Sequence, residues 1–79
     1  MKKVVNIKAP MIEDAKKLAQ AASKVECNID IAKGSYVIDA KSIMGIFSLD
    51  MSVPVELSIH DDSAAGVDEF LKAIQTMIV

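Results

Sequence analysis

Lys41-Ser42-Ile43-Met44-Gly45-Ile46-Phe47-Ser48-Leu49 places a hydroxyl directly before a short run that is apolar almost all round. Serine is a preferred helix N-cap, because its oxygen accepts a hydrogen bond from an amide of the first turn. The stretch therefore predicts a short helix from Ser42 to about Leu49. Ile43, Met44, Ile46 and Phe47 cannot all point inward from one such helix, so part of this apolar surface is expected to remain in water.

Upstream, Asn28 to Ala32 alternates, with Ile29 and Ile31 on one side and Asn28 and Asp30 on the other. Lys33-Gly34 supplies a turn, and Tyr36 to Asp39 reads as the returning strand of a hairpin. Downstream, Pro54 opens a strand in which Val55, Leu57 and Ile59 alternate with Glu56, Ser58 and His60. Asp61-Asp62-Ser63 offers capping oxygens and negative charge for a last helix, whose buried stripe is Val67, Phe70, Leu71, Ile74 and Ile78. At the other end, Met1 to Ala9 has the period-2 pattern of a half-buried strand, stopped by Pro10. From Met11 to about Val25 the period lengthens, and Ile12, Ala15, Leu18, Ala19, Ala22 and Val25 form one face of an alanine-rich helix. The order strand-helix-strand-strand-helix-strand-helix, with short connections, predicts an α+β domain: an antiparallel sheet with helices on one face.

Seventy-nine residues make a single domain, 1–79, and the 52% hydrophobic content supplies a core without staples. A single cysteine, Cys27, excludes an internal disulfide and any CxxC metal or redox site. It also suits a reducing cytoplasm, and no stretch reads as a signal peptide or membrane span. Residues 1–24 hold six lysines against Glu13 and Asp14, a net +4; residues 25–79 hold three lysines against nine acids, a net −6. Such a split can orient a partner during encounter, although solvated faces of ordinary kind explain it too. The acidic pI of about 5.2 and the absence of a basic-aromatic stripe exclude a nucleic-acid surface.

The Lys41–Leu49 wording resembles the regulatory-serine segment of HPr, the small histidine phosphocarrier of the bacterial sugar phosphotransferase system. Ala22-Ser23-Lys24, the hairpin, Ser48-Leu49 and the strand Val55 to Ile59 extend the resemblance over nearly the whole chain. It implies an HPr-like open-faced β-sandwich, with a four-stranded sheet of order 1-4-2-3 and three helices on one face. It also implies two sites. One is a histidine, set beside an arginine, at the start of the first helix. The other is the serine, here Ser42, which HPr kinase/phosphorylase modifies from ATP in Gram-positive relatives. Partners grip the apolar patch beside it, which maps to Ile43, Met44, Phe47 and Met51.

The first of those sites is degenerate. The only histidine is His60, and the chain has no arginine. Aligned from the first strand, the loop Pro10, Met11, Asp14 and Lys16 puts Asp14 at the histidine position and Lys16 at the arginine. Aligned back from the helix, those positions fall on Met11 and Glu13, the register that preserves every core contact; the loop is then three residues shorter. Asp14 reads as a first-turn acid that complements the helix dipole, His60 as an exposed strand end, and Cys27 as a packing residue. Ser42 retains both a structural reading, as an N-cap, and a regulatory one. The expectation is a regulatory module of the phosphotransferase system, a substrate and not an enzyme, without cofactor or metal. Its partners would be an HPr kinase/phosphorylase-like kinase and a transcriptional regulator or metabolic enzyme, with enzyme I of the phosphotransferase system as a further candidate. A phosphocarrier with an atypical acceptor and a small α+β binding module are the rival readings.

Overall fold

A computed structural model describes residues 1–79. Its elements are β1 (Lys3–Ile7), α1 (Ile12–Ala22), β2 (Ile29–Lys33), β3 (Tyr36–Asp39), α2 (Ile43–Phe47), β4 (Val55–Ile59) and α3 (Val67–Ala73), followed by a 3₁₀ turn, Gln75–Met77. The strands form one antiparallel sheet of order β1-β4-β2-β3. Lys33 pairs with Tyr36, so the hairpin loop is Gly34-Ser35, one residue later than the Lys33-Gly34 expected from sequence. Of these two loop residues only Gly34 has positive φ, +59°, the φ pattern of a type II′ turn, whose hand matches the twist of the strands.

Register puts the strand alternation to use. Val5, Leu57, Ile31 and Ile38 lie in one row across the sheet, on the face that the helices cover. Ile7, Ile29, Ile31, Val55, Leu57 and Ile59 are buried there. Ala15, Leu18, Ala19 and Ala22 of α1 are buried against them, and small alanines let the helix lie close to the strands. Every buried side chain is apolar, so the chemistry of the chain must lie on its surface. Cys27 is partly buried and packs against the core, its thiol 3.5 Å from the Asp61 carbonyl oxygen. No helix is long and apolar enough to cross a membrane.

Two expectations about the last helix are corrected. Asp61-Asp62-Ser63 does not cap it, because α3 begins at Val67 with Gly66 as N-cap. The Asp61 carboxylate instead accepts from the Ser63 amide and hydroxyl, at 3.0 and 2.7 Å, an Asx-turn that spends the oxygens locally. Those bonds hold the Asp61 carboxyl below the usual carboxylate range. Ile78 also leaves the predicted stripe and Met77 replaces it in the core. The chain tightens to 3₁₀ geometry after Ile74, and three residues per turn bring residue i+3 inward where an α-helix would bring i+4.

Candidate functional site

The chain leaves β1 pinned from both sides. The Lys8 amide donates to the Met77 carbonyl oxygen at 2.8 Å, and the Ala9 amide to that of Met51 at 2.8 Å. Pro10 follows, then Met11, which is extended (φ −102°, ψ 149°) and stands as N-cap of α1. Its side chain makes no cap bond; its carbonyl oxygen accepts from the amides of Asp14 and Ala15 at 3.1 and 3.2 Å. Met11 thus caps the start of the helix, and Asp14 lies within its first turn. Glu13 and Asp14 complement the positive end of the helix dipole.

The two residues also face different ways. Met11 lines a groove of about 200 Å³ with Ala9, Ile12 and Ala15 on one wall and Ile46, Phe47, Leu49 and Met51 on the other. Asp14 lines a separate cleft with Lys8, Pro10, Thr76, Met77 and Val79. Lys16 is exposed, two residues further along α1. Ile12, expected on the buried stripe, is 64% exposed. What lies beside it at the start of α1 is the groove, with Phe47 across from it, and not the sheet.

The second helix carries the most regular geometry on this surface. Ser42 is exposed and extended (φ −98°, ψ 106°), and its Oγ accepts from the Gly45 amide at 3.2 Å. Its own amide donates to the Asp39 carbonyl oxygen at 3.0 Å, while the Lys41 amide donates to Asp39 Oδ1 at 2.9 Å. The Lys41 ammonium is tied to the Val25 carbonyl oxygen at 2.8 Å, so it braces the helix start and does not project over Ser42. At the other end, Ser48 Oγ donates to the Gly45 carbonyl oxygen at 2.6 Å. The entry to α2 is thereby fixed by four side-chain or backbone bonds while the serine hydroxyl stays open to solvent.

Of the predicted apolar patch, Met44 is 75% and Phe47 48% exposed, Ile43 is partly buried, and Ile46 faces the core. The expected exposed apolar surface is therefore present. Met51 does not belong to it. It is 5% exposed and forms the floor of the groove, because the bond from Ala9 draws its backbone under the start of α1. The missing member of the surface is Ile12, which periodicity alone assigned to the core.

Two other features lie outside this surface. His60 Nε2 is 2.6 Å from Asp30 Oδ2, just beyond the end of β4. Val55, where β4 begins, pairs with Ile7 beside the Pro10 loop, and four strand residues from there to Ile59 span roughly 13 Å. The imidazole therefore lies at the opposite end of the sheet from Met11. The largest cavity, about 630 Å³, opens between the hairpin turn and the residues after α2, lined by Lys33, Gly34, Ser35, Tyr36, Ser48, Leu49 and Asp50. The Lys33 ammonium is occupied there, 3.2 Å from the Asp50 carbonyl oxygen and 3.7 Å from its carboxylate. The Ser52 hydroxyl and amide hold that carboxyl below its usual range. No group of three or more metal-ligating side chains is gathered anywhere.

Comparison with known proteins gives this geometry a frame. The family model described as PTS HPr component phosphorylation site matches residues 3–78. Among solved structures, HPr-C-His from Thermoanaerobacter tengcongensis is 32% identical, with a TM-score of 0.71 over 96% of this chain and 88% of that one. The phosphocarrier protein HPr from Bacillus anthracis str. Ames is 24% identical, with a TM-score of 0.71 over 100% and 96%. The histidine-containing phosphocarrier protein of a Mycoplasma is 26% identical, with a TM-score of 0.64 over 96% and 89%. Comparison with curated protein sequences gives no match.

Proposed function

The chain belongs to the HPr family of the bacterial phosphotransferase system, and we propose that within it the protein is a regulatory module phosphorylated on Ser42 and not a histidine phosphocarrier. The observation that carries the reading is the contrast between the two helix starts. At α2 an exposed serine hydroxyl sits at a well-braced N-cap. At α1 the N-cap is Met11, a thioether that cannot accept a phosphoryl group, with Glu13 two residues on. We take Met11 as the residue standing in the family's histidine position, because that histidine is set at the start of the same helix.

A histidine carrier needs an imidazole nucleophile and donors for the phosphoryl oxygens. The amides of α1 can donate, but Glu13 and Asp14 bring two negative charges to the place where an anion would arrive. His60 is held by Asp30 at the far end of the sheet. Ser42 offers the hydroxyl that the start of α1 lacks, and the one carboxylate bonded at its helix entry, that of Asp39, is engaged by the Lys41 amide at 2.9 Å. A phosphate there carries about two negative charges at pH 7 and meets the amide-rich start of a helix, where the dipole favours it. It changes the surface without refolding the domain, since Ser42 makes its cap bond from an exposed position.

The docking face in this reading is Met44 and Phe47 with the accessible part of Ile43, continued across the groove by Met11 and Ile12. Its groove is smaller than the roughly 300–1,000 Å³ of small-molecule sites, which fits a partner's side chain better than a metabolite. The partners would be an HPr kinase/phosphorylase-like kinase and a transcriptional regulator or metabolic enzyme, in the cytoplasm, with the chain as substrate and not as enzyme.

Incubation with HPr kinase/phosphorylase and ATP tests the reading. Intact mass is expected to rise by one phosphoryl group, and Ser42→Ala is expected to take none. The same substitution removes the cap bond and should lower the unfolding free energy by about 1 kcal/mol, too little to unfold the domain. Phosphate persisting in a folded Ser42→Ala would contradict the assignment.

A further inference from the structure

Three of the five methionines are exposed, Met1, Met11 and Met44, and the last two share one surface. Met11 is 59% and Met44 75% exposed, whereas Met51 and Met77 are buried in the core. Met44 precedes Phe47 by three residues, which puts them on one side of α2. Phe47 and Met11 line the same groove. An exposed thioether is at once an adaptable apolar contact and a nucleophile towards peroxides. Met1, though exposed, lies elsewhere: its amino group is 3.3 Å from the Asp62 carboxylate, at the far end of β1 from the groove.

We propose that Met11 and Met44 are oxidation sites for hydrogen peroxide and that their sulfoxides close the docking face. The thioether sulfur attacks one peroxide oxygen, the O–O bond breaks, and the sulfur–oxygen bond forms as water leaves. Sulfur is oxidised, peroxide is reduced, and each methionine consumes one peroxide. The product replaces an apolar contact with a strong hydrogen-bond acceptor one turn before Phe47 on α2 and in the groove that Phe47 lines. A partner that buries the face must then desolvate two sulfoxide oxygens without donors to match them. Methionine sulfoxide is reducible enzymatically, so the closure is reversible, unlike a lesion in the core. This inference rests on the docking face described under Proposed function.

The test combines peptide mapping with the kinase assay on the full chain. After graded hydrogen peroxide, removed before assay, mapping is expected to find oxygen on Met1, Met11 and Met44 and none on Met51 or Met77. The oxidised protein should then be phosphorylated on Ser42 about thirtyfold more slowly than the same protein before peroxide, the loss that one interface hot spot produces. In the Met11→Leu/Met44→Leu variant, whatever its own rate, the ratio before and after peroxide should be near one, although Met1 is oxidised there as well. Equal oxidation of Met51 and Met77 in the folded protein overturns the site assignment. An unchanged rate after oxidation, or an equal loss in the double variant, overturns the closure. A chain that takes no phosphate even before peroxide refutes the regulatory reading, and with it the closure, while the mapping still decides whether Met11 and Met44 are the oxidised sites.

Discussion

Phe70→Ala is expected to lower the unfolding free energy by about 3–5 kcal/mol, the usual loss for a fully buried phenylalanine. Phe70 is the largest fully buried side chain and lies on α3, the element that joins α1 in covering the sheet. A domain of this size holds only about 4–12 kcal/mol in total, so the variant sits near the edge of folding. Urea unfolding should show the midpoint falling sharply with the slope unchanged, as a loss of stability without a change in exposed surface requires. A loss under about 1 kcal/mol would mean that Phe70 does not fill the space between helix and sheet. Ser42 and Met44 are far from Phe70 in sequence and on another helix, so the residual folded fraction should still be a substrate.

The second large effect is expected at Gly66. A Cβ there would stand 2.7 Å from the Lys24 carbonyl oxygen and 3.3 Å from the Val25 Cα, both backbone atoms that cannot turn aside. The position also has φ +92°, which side chains rarely adopt. Strain at such a backbone costs of order 1–3 kcal/mol, and the close approach of the chain after α1 to the start of α3 adds to it. Gly34 is the natural control, because it shares positive φ, +59°, but has nothing within 4 Å of its Cβ position. Gly66→Ala should therefore cost more than Gly34→Ala in the same unfolding experiment. Equal costs would show that backbone strain alone acts and that the contact with Lys24 yields freely.

These two positions also mark what a sequence can and cannot disclose. The strands were legible because each alternates cleanly, and the hairpin because Gly34 punctuates it. The start of α2 was legible because Ser42 does by itself what an N-cap does. The start of α3 was not. Aspartate and serine are as good at closing an Asx-turn as at capping a helix, and only the approach of Gly66 to Lys24, a contact across 42 positions, decides between them. The end of the chain departs from its helical spacing for a local reason, since a change from 3.6 to 3.0 residues per turn puts Met77 in the core in place of Ile78.

The candidate site divides in the same way. Ser42, Met44 and Phe47 were legible because one short helix holds them all. The groove was not, because its walls come from residues 9–15 and 46–52 and meet through the hydrogen bond from Ala9 to Met51. That bond draws Met51 into the core, where the resemblance implied a place in the partner-binding patch, and the groove beside α1 leaves Ile12 exposed, which periodicity places inside. Helical spacing reports a face; it does not report where the sheet beneath that face stops.

The central claim is that phosphate enters this protein at Ser42 and not at the start of α1. Parallel incubations with HPr kinase/phosphorylase and ATP, and with enzyme I and phosphoenolpyruvate, followed by intact mass and site mapping, test it most directly. The account predicts one phosphoryl group on Ser42 in the first and none in the second. A phosphoryl group acquired from enzyme I, lost in Asp14→Ala or His60→Ala and indifferent to Ser42→Ala, would contradict it and make the chain a carrier with an unusual acceptor.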